Sequence, residues 1–324
     1  MLKLAIVIIN YKTPGLVIDC LETLLPEVES INAKTFIIDN ASNDGSCELI
    51  QCWIDEHCIS AQVELVRSSE NTGFSGGNNL GINNVDADFY LLLNSDTLVR
   101  KGAINILLDA AKKEEGAGLL SPRLEWPNAI PQESCFRFHS PMSELISSAN
   151  TGVITRLFHK FNVPYPVTKK TSFYDWTSFA CVLIRSEVFQ DIGSMDNGYF
   201  MYFEDVAFAF LAQKSGWKVL NVPKARVVHL RGGSSPVKSQ AKLRKRLPRY
   251  YYESRTRYFY HVYGWSGLLM ANVLWTLGYG ISCFRSALPI SFQPNVSEHQ
   301  RRDIWINFFH PLKPYIHPDN YDKT

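Results

Sequence analysis

Five polar stretches interrupt otherwise apolar sequence, and each carries residue types that can do chemistry. "IIDNASNDGS" ends a buried-looking run in Asp39, a carboxylate that can accept the ring N–H of a uracil or thymine, or equally cap an Asx turn and the next helix. "SSENTGFSGGNNLGI" sets Gly73, Gly76 and Gly77 beside the amides of Asn71, Asn78 and Asn79 ahead of a helix. Such loops let backbone N–H groups approach a phosphate or nucleotide, although the spacing is not that of a dinucleotide fold. "YLLLNSDTLV" runs from strand-like residues into Asn94, Ser95 and Asp96. That tripeptide is a turn by composition. If Asp96 faces a ligand diphosphate, the two form an oxygen cage for Mg2+ or Mn2+.

The fourth stretch, "YFMYFEDVAFAF", starts a helix with Glu204 and Asp205 amid aromatic residues. First-turn acids oppose the helix dipole, whereas aromatic burial raises a carboxyl toward the range of a general base. In the fifth, "ARVVHLRGGSS", His229 nears a strand end ahead of Arg231 and a Gly-Gly-Ser loop, and serves as a ligand or as a satisfied structural histidine.

The elements that must position these residues alternate. Strand-length apolar runs at 4–9, 35–39, 63–67, 89–93 and 118–124 are separated by helical periods at 14–25, 46–58, 76–84 and 101–113. This predicts an α/β fold with a mostly parallel sheet and helices on both faces. Ligands bind such sheets beyond the carboxyl ends of the strands, where Asn10, Asp39, Arg67 and Asp96 all fall. Prolines at 127, 131, 141, 164 and 166 suggest an insertion or flexible connection over 126–170. Beyond it come a strand-like "FYDWTSFACVLI", a helix stopped by Gly216, and two short strands, "WKVLNV" and "ARVVHL".

A chain of 324 residues that is 46% hydrophobic buries a full core, and its net charge of +2 gives no argument for a nucleic-acid partner. Seven cysteines without a CxxC pair fit neither a disulfide framework nor a zinc site and point to a reducing, cytoplasmic setting. The tail changes character. Eight basic residues face one acid between 238 and 257, and the uncharged "GWSGLLMANVLWTLGYGISCF" follows. It reaches the length of a bilayer span but holds four glycines, Asn272, Ser266 and Ser282. A helix lying in an anionic membrane surface, at the inner face of the cell membrane, is one reading; a core or homodimer-packing helix is the other.

Taken in order, "VIINYKTP", "IIDNASNDGS", "ENTGFSGGNNLGI", "LLLNSDT", "GYFMYFEDV" and "GWKVLNVPKARVVHLRGGS" resemble glycosyltransferase family 2, inverting enzymes of the GT-A fold, and most closely its bacterial rhamnosyltransferase-like branch. The resemblance covers residues 3 to about 235. It implies a GT-A domain over 1–237, with a donor half over about 1–125 and an acceptor half over about 170–237, and a basic and apolar helical extension over 238–324. It also implies that Asp39 contacts the nucleotide base, and that Asn10, Asn71, Gly73, Asn78 and Asn94 line the donor. Asp96 and His229 would complete a divalent-cation site (Mg2+ or Mn2+), and Arg231 would add to the diphosphate site. Asp205 would be the catalytic base, with Glu204 beside it. The reaction implied is transfer of L-rhamnose from dTDP-L-rhamnose to a glycan or lipid-linked acceptor hydroxyl in cell-surface polysaccharide synthesis.

Three positions depart from the branch. Asn94 replaces the first aspartate of Asp-x-Asp, Ala207 stands where an aspartate usually repeats, and Phe179 stands where glycine usually precedes Ala180. Asp39 would pair similarly with uracil and thymine, which keeps open a UDP-sugar-dependent transferase; Asn94 and Ala207 keep open a non-catalytic nucleotide-sugar-binding protein, and a nucleotidyltransferase would share the fold and a metal carboxylate. The intact Glu204-Asp205 pair and His229 argue against the last two.

Overall fold

Leu4, Ala5, Ile6, Val7 and Ile8 are fully buried in succession, which only a strand covered on both faces allows. The computed structural model containing this strand describes residues 1–230, 237–288 and 292–323. In chain order the elements are β1 (Leu2–Asn10), α1 (Pro14–Val28), β2 (Ala33–Asp39), α2 (Ser46–Glu56), β3 (Val63–Arg67), α3 (Gly73–Ile82), β4 (Ala87–Asn94) and β5 (Thr97–Val99). Next come α4 (Ala103–Lys113), β6 (Ala117–Glu125), β7 (Cys135–Phe136), α5 (Pro141–Ala149), α6 (Gly152–Leu157), β8 (Ser172–Tyr174), β9 (Trp176–Thr177) and β10 (Cys181–Arg185). The last are α7 (Ser186–Ile192), α8 (Glu204–Lys214), β11 (Lys218–His229), α9 (Val237–Lys242), α10 (Arg249–Ser286) and α11 (Gln300–Asp303). They fall into two units, residues 1–136, 166–197 and 208–234, and residues 137–165, 198–207 and 235–324.

In the first unit, nine strands among the described residues form one sheet in the order β3-β2-β1-β4-β10-β6-β11-β5, with β8 also paired to β11. From β3 to β4 it is parallel. The expectation of a mostly parallel sheet is corrected beyond that point, because β10 enters antiparallel to both β4 and β6. Two further corrections concern continuity. "WKVLNV" and "ARVVHL" are one strand, β11, whose register on β6 shifts between Val222 and Arg226. Pro223, which has no N–H to give a ladder, sits in that irregularity. Helix α1 runs through Pro26 to Val28, since Val17, Cys20, Leu21, Leu24 and Val28 make one buried stripe.

Helix α3 lies close over β1, and glycine is what lets it. A Cβ at Gly81 would stand 2.5 Å from Val7 Cγ1, and one at Gly77 would stand 3.0 Å from Ile9 Cδ1.

Of the two readings of 126–170, an insertion or a flexible connection, the second is corrected over 137–165, which belong to the second unit. Ser140 caps α5 in a capping box with Ser143, and α5 packs along α10. A Cβ at Gly278 of α10 would lie 2.6 Å from the carbonyl oxygen of Leu145. Between these helices Arg255 donates to Glu144 at 2.8 and 3.1 Å and to Asn272 at 2.8 Å, all buried. The basic tail is therefore partly neutralised from within, and Arg246 likewise forks onto Asp303 at 2.7 and 2.9 Å. Helix α10 kinks at Gly264, whose φ of 66° suits glycine.

Candidate active site

Cross-strand register gathers the polar ends of three strands. Ile9 pairs with Asn94, and Asn10 pairs with Asp39. Asp39, Asn10 and Asn94 thus share the carboxyl edge of the sheet. Arg67 is opposite Asp39 in register, but its guanidinium pairs with Glu48 on the surface, 3.1 Å away.

Asp39 is buried and held by its neighbours. Asn10 Nδ2 donates to Oδ1 at 2.7 Å, Ser42 Oγ donates to the same oxygen at 2.6 Å, and the Ser42 N–H donates to Oδ2 at 3.1 Å. Burial alone would push this carboxyl up. The hydrogen bonds from Ser42, Asn10 and Cys47 outweigh it and hold the group below its usual range. The Asx-turn role and an ionised carboxylate at the sheet edge are therefore both present. Asn10 in turn accepts the Thr13 N–H at 3.2 Å, which ties the start of α1 to the same cluster.

The glycine segment is organised by Asn40, a residue the motif reading passed over. Its amide donates to Asn71 Oδ1 at 3.0 Å and to the Gly73 carbonyl at 2.9 Å. Its oxygen accepts from the Thr72 N–H and hydroxyl at 3.0 and 3.1 Å. The signal was there: Asn40 directly follows Asp39. Gly73 takes a φ of 69° and opens α3, so the helix starts earlier than expected and Gly76 and Gly77 lie inside it. Asn78, buried in α3, donates to the Phe74 carbonyl of its own helix at 3.0 Å, and Asn79 bonds Met195 and Asn197.

The short strand β5 decides the third cluster. It runs antiparallel to β11 with Thr97 opposite His229, and the Leu230 N–H donates to the Asp96 carbonyl at 2.9 Å. His229 Nε2 thereby stands 3.5 Å from Asp96 Oδ1, both side chains buried. Gln132 Nε2 donates to the His229 carbonyl at 2.8 Å, a support that comes from an irregular, proline-flanked segment with no sequence signal. Arg231 lies outside the described residues. The Asn94 side chain, half-buried at the end of β4, makes no hydrogen bond among the described residues.

This pair fits a divalent cation. Octahedral ligands at ~2.1 Å stand ~3.0 Å apart, close to the separation of two donor atoms that face each other here beyond a good hydrogen-bond length. Among the described residues no group of three His, Cys, Asp or Glu forms.

Glu204 and Asp205 begin α8 and belong to the second unit. The two residues before them, Tyr202 and Phe203, take φ of 70° and 65°, which is strained for side-chain-bearing residues. Aromatic packing holds them there: Tyr251 contacts both rings, and His139 and Tyr258 contact Phe203. Glu204 is buried, and among the described residues its Oε2 has no hydrogen-bond partner. Burial, and then repulsion from Asp205, raise its carboxyl well above the usual range. Asp205 is half-buried, and its Oδ1 accepts the Val206 N–H at 2.8 Å. Of the departures noted, Phe179 is buried edge-on to Phe208 at 6.0 Å, and Ala207 is buried as well.

Comparison with known proteins decides the family. A model described as "Glycosyltransferase like family 2" matches residues 3–252. The chain belongs to that family. This family 2 glycosyltransferase is 28% identical over 229 residues to the low-salt glycan biosynthesis hexosyltransferase Agl10 of Haloferax volcanii, covering 69% of this chain and 65% of that one. It thus spans just under two thirds of that relative's length. It is 27% identical over 220 residues to the N-acetylglucosaminyl-diphospho-decaprenol L-rhamnosyltransferase of Mycobacterium tuberculosis, covering 62% of this chain and 68% of that one. Among solved structures it resembles the mannosyltransferase PcManGT from Pyrobaculum calidifontis in complex with GDP-Man and Mn2+. That likeness has a TM-score of 0.55 at 12% identity and covers 89% of this chain and 76% of the other. It concerns the fold, which is GT-A, as the motif order implied.

Proposed function

We propose that this protein is an inverting transferase that moves L-rhamnose from dTDP-L-rhamnose to a hydroxyl of a glycan or lipid-linked acceptor, on the cytoplasmic side of the cell envelope. The Asp96–His229 pair supports the reading, because it would offer two donor atoms to a cation at the edge of the sheet that also bears Asp39. The rhamnose and lipid-linked parts draw support from the Mycobacterium tuberculosis relative.

Each residue then has a task. Asp39, kept ionised and aimed by Asn10 and Ser42, accepts the ring N–H of the base. Asn71, Gly73 and Asn78 border the nucleoside, with Asn94 and Arg231 toward the diphosphate. Asp205 takes the proton of the acceptor hydroxyl as its oxygen attacks the anomeric carbon, so one displacement inverts the configuration. Glu204, kept uncharged by burial, positions the acceptor as a hydrogen-bond donor. Asp96 and His229 would hold Mg2+ or Mn2+, which when bound offsets the negative charge of the leaving nucleoside diphosphate.

A panel of nucleotide sugars with Mg2+ or Mn2+ in a thermal-shift assay tests the donor. The expected result is a rise in Tm with dTDP-L-rhamnose and metal. A rise only with UDP-sugars would reassign the donor, since uracil and thymine present the same ring N–H to Asp39, and no rise with any of them would refute the reading.

A further inference from the structure

The second unit carries an apolar surface that is left uncovered among the described residues. Beyond the kink at Gly264, Leu268, Ala271, Trp275 and Gly278 turn one face of α10 inward, while Leu269, Val273, Leu277, Ile281 and Phe284 lie exposed on the opposite face. Phe284 is 70% exposed. No charged residue occurs from 264 to 284, so the outer face has no charged flank of its own.

Both ends of the stripe extend it. Trp265 touches Phe308, which also touches Trp305 and the largely exposed Phe309. At the other end Arg285 donates to the Asn150 carbonyl at 2.6 Å, just before α6, on which Val153 and Leu157 are exposed. From Trp265 to Phe284 the face runs about 29 Å at 1.5 Å per residue. A patch of that length, with aromatic rings clustered at one end, exceeds what isolated surface hydrophobes explain.

We infer that this face of α10 seats in the surface of an anionic lipid bilayer, with the helix axis in the membrane plane. The helix is long and apolar enough to cross a membrane by length and composition. Its inner face, however, is committed to protein: Asn272 accepts from Arg255, and Ser282 donates to the carbonyls of Ser148 and Ala149 at 2.6 and 3.0 Å. One face in protein and one in lipid is an in-plane arrangement.

Charge selects the lipid and disfavours a second copy. From residue 238 onward the sequence has 13 Lys and Arg against 5 Asp and Glu. Arg246, Arg249 and Arg255 are paired internally, whereas Lys242 and Lys245 are exposed with no carboxylate partner among the described residues. Self-association through the tail would bring two such basic surfaces together, but anionic headgroups would offset them.

The test is flotation of the full chain with phosphatidylcholine vesicles containing about 30% phosphatidylglycerol, against phosphatidylcholine alone. The chain floats with the anionic vesicles, and Leu277→Glu/Phe284→Glu lowers the bound fraction about tenfold or more with an unchanged melting curve. Quenching of tryptophan fluorescence by brominated lipid provides a readout on the unmodified chain, and it should be seen with the same vesicles. Absence of flotation and quenching overturns the inference, as does equal binding of the double variant. A dimer in solution that the double variant converts to monomer, without vesicle binding, assigns the face to a second copy instead and also overturns it.

Discussion

His229 and Asp96, far apart in sequence, meet with Nε2 and Oδ1 3.5 Å apart because β5 pairs antiparallel with the end of β11. If they share one cation, removing either should remove most of its affinity. Asp96→Ala and His229→Ala should each weaken Mn2+ binding in the presence of nucleoside diphosphate by roughly tenfold or more. The double variant should lose little beyond the worse single one. Titration calorimetry reads all three, and additive losses would place the residues in separate roles.

Glu204 makes stability depend on pH in a definite direction. Burial and Asp205 raise its carboxyl well above 4.5, so the folded chain keeps a proton that the unfolded chain has released. The stabilisation is complete below the unfolded value and is lost as pH rises through the folded one. Glu204→Gln does not ionise, so its Tm should gain on the wild type as pH rises above the unfolded carboxyl value of 4.5. Parallel Tm profiles over that range would mean that Glu204 is not held protonated.

Asp39 works in the opposite sense. Its carboxyl is held below 3.8, so it is ionised across the working range, and its stabilising effect is lost only as pH falls through the lowered value. If Asp39 accepts from the nucleotide base as proposed, Asp39→Asn removes a charged acceptor. The donor KM should rise about tenfold to a hundredfold with kcat little changed, the pattern of lost ground-state binding. Steady-state kinetics checks this, and a fall in kcat alone would remove Asp39 from donor recognition.

Gly81 tests the packing beneath the donor edge. Its added Cβ would stand 2.5 Å from Val7 Cγ1, in a fully buried strand. Gly81→Ala should cost about 1–3 kcal/mol by overpacking. Val7→Ala should recover part of that loss in the double variant, read as urea midpoints. No rescue would mean that the strain lies elsewhere.

Much of the first unit was legible in advance. Strand β3 has the expected bounds, 63–67, and the strands around it lengthen the expected runs by a residue or two at the ends. These runs are continuous because both faces are buried, a property of local composition. What local pattern did not announce was pairing. The three-residue β5, the antiparallel entry of β10 and the fusion of two expected strands into β11 each depend on a partner distant in sequence. The same applies to 137–165, where Glu144 has meaning only against Arg255.

By itself, then, the sequence determined the residue types, the alternation that puts Asn10, Asp39 and Asp96 at strand ends, and the motif order that marks family 2. Tertiary structure decided which of them act together. Asp39 is held below its usual range because Asn10 reaches it from the neighbouring strand and Ser42 across a turn, and Glu204 is raised because it is buried and stands beside Asp205. Hydrogen-bond supply and desolvation depend on neighbours brought in by the fold, and a linear pattern does not contain them.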